Sequence, residues 1–239
     1  VRRDTQNLLL VLLGGALVKI SVTDIFLRYV KPDHRWYLLA AGAAILVLAS
    51  ASLVRDARAA RAGRSRDHGH GHREPHSPWL LLLPVLAIFL VAPPALGADS
   101  VERAGAQNAV VAAPDSGRFA PLPSGDAPEL RLSDFVARAV WDGSHELADR
   151  DVTLTGFVVR RGGSVELARM VITCCAADAR PMVVRLAGAG AVQGLEADGW
   201  LRVRARLVGG GAAVVDGYVP TVRVLDAVPI AAPAEAYEY

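Results

Sequence analysis

The chain has 239 residues, is 52% hydrophobic and carries a formal net charge of +2. That near-neutral balance lacks the basic footprint of a nucleic-acid binder. Its two cysteines, Cys174 and Cys175, are adjacent, so they cannot staple distant segments as in a disulfide-scaffolded secreted domain.

The apolar residues are unevenly spread. Residues 8–54 and 79–96 are dense in Leu, Val and Ala, whereas 97–239 has the composition of an ordinary soluble domain. Three runs, over residues 8–27, 36–54 and 79–96, have the length of a membrane-spanning helix. Backbone groups find no water in lipid, so such runs are expected as helices. Trp36, Tyr37 and Trp79 stand at the ends of these runs, where amphipathic rings prefer the headgroup layer. The small residues Ala95, Gly97 and Ala98 resemble a cleavage site, but two spans precede them, which argues against a signal peptide.

The first run contains Lys19 and ends at Asp24 and Arg28. Asp24 and Arg28 are four residues apart and would share a helix face as a pair. Lys19 either points into a protein interface or snorkels to the membrane surface. The loop at 55–78 carries six arginines (Arg55, Arg58, Arg61, Arg64, Arg66 and Arg73) against Asp56, Asp67 and Glu74. The positive-inside rule places this loop and the N-terminus in the cytoplasm, and the third span then puts 97–239 outside. Within the loop, His68, His70, His72 and His76 alternate with glycines and charged residues. Neutral imidazoles with flexible spacers suit a labile divalent metal; the alternative is a solvated linker.

Residues 99–128, rich in Ala, Pro, Gly and Ser, read as a tether. The domain at 129–239 opens with a short helix at 134–141, capped by Ser133 and carrying an apolar stripe of Leu132, Phe135, Val136, Ala139 and Val140. Strands follow at 151–159, with Val152, Leu154 and Val158 on one side, and at 165–174, 182–186, 201–208, 213–215 and 221–225. In 201–208, Leu201, Val203, Ala205 and Leu207 alternate with Arg202, Arg204 and Arg206. That arginine row has no interleaved aromatic platform, so it is not read as a nucleic-acid surface. The expected class is an α+β membrane protein: three N-terminal transmembrane helices, then a small OB-like β-barrel with one short helix.

The most distinctive phrase is Ile172-Thr173-Cys174-Cys175-Ala176-Ala177-Asp178. Strand alternation would put Cys174 with Met170 and Ile172 on one face and Cys175 on the other. Cys174 could be a buried core thiol. One or both thiolates of Cys174 and Cys175, with Asp178, could hold a soft or borderline metal. The two sulfurs could also form a vicinal disulfide. No nucleophile–base pair and no phosphate loop stand out, so the chain is not read as an enzyme.

Through this phrase the chain resembles the YcgQ-like permease-subunit family. The Tyr29-Val30-Lys31-Pro32 stretch, the His-rich loop before the last span and the Gly156-Phe157 strand are also similar. The resemblance implies a bacterial multi-pass membrane protein, a multi-span permease as partner and a link to zinc homeostasis. The expected function is therefore that of an accessory subunit in a two-component permease; the rival readings are a structural interaction module and a thiol redox protein.

Overall fold

The computed structural model describes residues 3–62, 94–105, 119–188, 194–209 and 217–239, together with Leu86 and Leu90. The chain divides into two compact units, Val1–Pro94 and Ala95–Tyr239.

In the first unit, α1 (Arg3–Val22) and α2 (Arg35–Arg61) pack as an antiparallel hairpin. Glycines set the closeness of that packing. An added Cβ at Gly14 would lie 3.1 Å from the Gly42 carbonyl oxygen, and one at Gly42 would lie 2.9 Å from Val18 Cγ2. Small residues at a helix–helix contact let the two backbones approach closely.

The expected first span is shorter than its apolar run. Asp24 takes a left-handed conformation (φ 58°) and ends the helix ahead of a 3₁₀ turn at Ile25–Arg28. Asp24 and Arg28 therefore do not share a helix face. Asp24 Oδ1 instead lies 3.1 Å from Arg35 Nη1 at the start of α2. Among the described residues one helix, Pro32–Arg61, is long and apolar enough to cross a membrane, with a mean hydropathy of 2.2. The apolar part of α1, Gln6–Val22, is shorter. Three spans are thus not shown. Most of the third expected span, and the whole His68–His76 tract, lie outside the described residues.

The second unit is a mixed α+β domain around a seven-stranded sheet. In chain order it contains α3 (Ala98–Ala104), β1 (Glu129–Leu130), α4 (Leu132–Trp141), β2 (Asp151–Arg161), β3 (Ser164–Val171), β4 (Arg180–Ala187), β5 (Trp200–Leu207), β6 (Thr221–Ile230) and β7 (Tyr237–Glu238). The sheet order is β1-β2-β5-β6-β4-β3-β7, and β3 also pairs with β2. The pairings thus run from β2 through β5, β6, β4 and β3 back to β2; β4–β6 is parallel and the other four are antiparallel.

β2 serves two partners. Its first seven residues pair with β5 and its last five with β3, overlapping at Phe157. Gly156 stands at this corner, where a Cβ would come within 2.6 Å of the Ala168 carbonyl oxygen. A strand glycine at a close backbone approach is the expected solution.

Each face of the sheet buries its own cluster. On one face Val152, Leu154, Val158, Val184, Leu201 and Val203 pack under Leu132, Phe135 and Val136 of α4. On the other, Phe157, Val159, Ala168 and Met170 pack with Ala98 and Val101 of α3 and with Tyr237 of β7. Residues 99–104, which composition assigned to the tether, belong to α3 in this second layer. The expected strand at 213–215 lies outside the described residues.

The start of α4 also differs from expectation. Its N-cap is Arg131, with no side-chain cap of its own. Glu238 takes that role from the far end of the chain: its carboxylate accepts the N–H groups of Leu132 (2.8 Å) and Ser133 (2.9 Å). First-turn N–H groups have no partner within the helix, and an anion there also meets the favourable end of the helix dipole.

Candidate functional site

The site is the connection between β3 and β4. β3 ends at Val171, earlier than the sequence pattern suggests. Ile172 is still held, with its side chain buried and its N–H donating to the Glu238 carbonyl at 3.0 Å. β7 lies parallel to β3 there, pairing Met170 with Tyr237 and Val171 with Glu238. Arg169 fixes the tail from behind, donating to the carbonyls of Glu235 (3.1 Å) and Tyr237 (3.3 Å). Its guanidinium sits over the Trp200 ring at 4.9 Å, and burial pushes its pKa down.

Beyond Ile172 the backbone leaves the ladder because its N–H groups find another acceptor. Asp178 Oδ1 accepts from Thr173 N–H at 2.7 Å. Asp178 Oδ2 accepts from Cys174 N–H at 2.8 Å and Cys175 N–H at 3.4 Å. A single turn of 3₁₀ helix, Ala176–Asp178, returns the carboxylate to these amides.

That turn brings the two sulfurs together. Cys174 Sγ and Cys175 Sγ are 3.5 Å apart, so the expectation of opposite faces is corrected. Side-chain alternation holds only while the strand continues, and here it has stopped. Cys174 is exposed and Cys175 half-buried, both as free thiols, so the core-cysteine reading of Cys174 is also corrected.

The electrostatics follow from this geometry. The Cys174 thiol hydrogen-bonds to Asp178, and this, with the contact to Cys175, pushes its pKa up to about 12. A thiolate there would face a carboxylate already charged. The same bond to Cys174, followed by the backbone N–H donors, pulls Asp178 down to about 2. At neutral pH the loop therefore holds an ionised Asp178 and a protonated Cys174.

Ligand atoms of Cys174, Cys175 and Asp178 all lie within 4.8 Å of one another. Two sulfurs on one tetrahedral zinc, each at about 2.3 Å, stand roughly 3.8 Å apart. The 3.5 Å separation is close to that value. The carboxylate is a less ready donor. It already receives three N–H groups and the Cys174 thiol, against about four lone-pair sites. The donor set thus fits a centre built on two sulfurs, with Asp178 shaping the loop. Binding there must release the thiol proton.

The other sequence-picked feature of this domain, the arginine row of β5, is partly neutralised. Asp151 accepts from Arg204 (2.7 Å) and lies 2.6 Å from Arg206, and Asp126 lies 2.9 Å from Arg204. The hydrogen bonds from Arg204, then from Arg206, hold the Asp151 pKa below the usual carboxylate range.

Sequence reasoning missed Glu238 and Arg169, which anchor the base of the loop. The alternating Tyr237-Glu238-Tyr239 ending was the signal that a last strand existed.

A small α+β domain carrying a two-thiol loop at the ends of two paired sheet strands is the class these observations define. Residues 136–239 match the family model described as the DUF1980 C-terminal domain, which supports an uncharacterised-domain family for this part of the chain. The match runs from within α4 through the Cys174–Asp178 loop to Tyr239. No curated protein and no solved structure matches the chain.

Proposed function

We propose that the chain is an accessory subunit of a two-component permease that handles a divalent metal such as zinc. The observation that carries this reading is the pair of sulfurs 3.5 Å apart beside Asp178. The helical hairpin anchors the protein in the bilayer, with the basic 55–78 loop in the cytoplasm, the 79–96 segment as a further span and the C-terminal domain outside. The domain is an OB-like barrel, a reading supported by the return of the strand pairings to β2. It docks on a multi-span permease and presents the ion at Cys174 and Cys175. His68, His70, His72 and His76 hold the same class of ion on the other side of the membrane.

The test is zinc titration of the full chain in detergent, monitored by competition with a chromophoric chelator. Cys174→Ser/Cys175→Ser should remove one tight site while leaving any His-tract binding in place. Identical stoichiometry and affinity in both proteins would sink the metal reading. A dithiol–disulfide reading draws on the same 3.5 Å separation. It is opposed at Cys174, whose hydrogen bond to Asp178 holds that thiol protonated and so a poor attacking group.

A further inference from the structure

The helical hairpin carries a cleft that the proposed function leaves unused. It lies between the N-terminal half of α1 and the C-terminal half of α2, encloses about 510 Å³, and is lined by Asn7 and Leu10 from α1 and by Leu48, Ser52, Arg55 and Asp56 from α2. We infer that this cleft binds the headgroup of an anionic glycerophospholipid, with the phosphate at Asn7 and Arg55. The inference rests on the reading that the hairpin lies in a bilayer.

Three observations support it. The first is an orphaned donor: Asn7 is only 4% exposed, and its Nδ2 has no hydrogen-bond acceptor among the described residues. A buried amide without an acceptor is costly, and the cleft it lines is where one can arrive. The second is a polarity gradient along the helix axis. Arg55 and Ser52 lie nearer the end of α2, and Leu48 and Leu10 lie deeper, where Val47 and Leu48 are exposed. Lipids share that order: charged group at the surface, acyl chain below. The third is charge. Arg55, Arg58 and Arg61 outnumber Asp56 at this end of α2. A cationic helix end at a membrane surface attracts anionic headgroups. Inorganic phosphate would satisfy Asn7 and Arg55 but would leave the apolar depth unfilled.

The experiment uses the full chain, purified in mild detergent and examined by native mass spectrometry. Phosphatidylglycerol, phosphatidylcholine and inorganic phosphate are added in separate arms. The expected result is one retained phosphatidylglycerol, at least tenfold preferred over phosphatidylcholine, with no retained inorganic phosphate. Asn7→Leu and Arg55→Gln should each reduce retention at least threefold, and Arg55→Lys should restore most of it. Helical circular dichroism confirms that each variant keeps the hairpin. Equal retention of the two lipids, or retention unchanged in the folded variants, overturns the inference. Binding of inorganic phosphate as tight as that of the lipid overturns the lipid source. Alkaline carbonate extraction of native membranes separates the two readings. A protein that stays in the pellet but shows no lipid preference refutes the headgroup site alone; one released to the supernatant refutes the bilayer reading and the site with it.

Discussion

The raised Cys174 pKa makes a quantitative prediction about its reactivity. The perturbation is Asp178→Asn, which keeps the side-chain size and removes the charge that opposes a thiolate. In the native loop the thiol is pushed up to about 12, first by its hydrogen bond to Asp178 and then by Cys175. An ordinary thiol of pKa about 8.5 is roughly a quarter thiolate at about pH 8, whereas one at 12 is about one part in ten thousand. The high-pKa thiolate is intrinsically more nucleophilic, which returns roughly 40-fold at a Brønsted slope of ~0.45. The net deficit is then about 60-fold. Because the Cys175 contact remains in the variant, Asp178→Asn should speed alkylation about 10- to 50-fold, by that same thiolate arithmetic. The assay is iodoacetamide labelling of chelator-treated protein, with Cys174 and Cys175 resolved by fragment-ion mass spectrometry. In the native protein the Cys174 rate should still be climbing at about pH 10. A native profile that levels off near pH 9, or a folded variant that labels at the native rate, would refute the reasoning.

Further outcomes follow from other contacts. Gly156→Ala places a Cβ within 2.6 Å of the Ala168 carbonyl and 2.9 Å of Leu167 Cγ. It should cost about 1–3 kcal/mol, read as a lower thermal midpoint of the β domain. Glu238→Ala strips two N–H groups at the start of α4 of their acceptor. The expected loss is about 1–3 kcal/mol in denaturant unfolding, with Glu238→Gln costing less because its amide oxygen still accepts. Gly42→Ile drives side-chain atoms into Val18 and the Gly14 backbone, and should lower the thermal midpoint of the α1–α2 hairpin in detergent. The acid limit of the loop follows from Asp178. Its folded pKa lies below the unfolded value, so its contribution is complete above about pH 4 and is lost as pH falls through about 2. The Thr173 and Cys174 amide resonances should therefore hold their hydrogen-bonded shifts at about pH 3; their loss already near pH 4 would contradict the assignment.

What the sequence disclosed and what it hid divide along a physical line. β5 was legible because Leu201, Val203 and Ala205 alternate with arginines, and the structure buries those three and turns Arg202, Arg204 and Arg206 away. The inward face of β2, with Val152, Leu154 and Val158, and the stripe of α4 were legible for the same reason. Period and polarity are local properties, and burial in a single layer repeats them faithfully. α3 was not legible. Ala98 and Val101 are its buried residues, and a seven-residue helix is too short to show a period against an Ala- and Gly-rich background. The Cys174–Asp178 geometry was half legible. The residue types stood out, but the meeting of the sulfurs depends on β3 ending at Val171, and that end is set by a carboxylate that lies beyond the strand.

The tail accounts for the remainder, because it couples elements that no local pattern connects. The Glu238 carboxylate holds the first turn of α4, 106 residues away in sequence. Its carbonyl accepts the Ile172 N–H, the last anchor before the thiols. One residue thus fixes both the helix that covers the first core face and the stem from which the Cys174–Cys175 loop departs. The buried Arg169 guanidinium grips the carbonyls of Glu235 and Tyr237 on the same stretch of tail. The loop itself is exposed and carries its own hydrogen bonds through Asp178, so the tail does not make the sulfurs meet. It ties down the base on which they meet, so that the loop carrying the exposed Cys174 and the half-buried Cys175 departs from a hydrogen-bonded, buried stem.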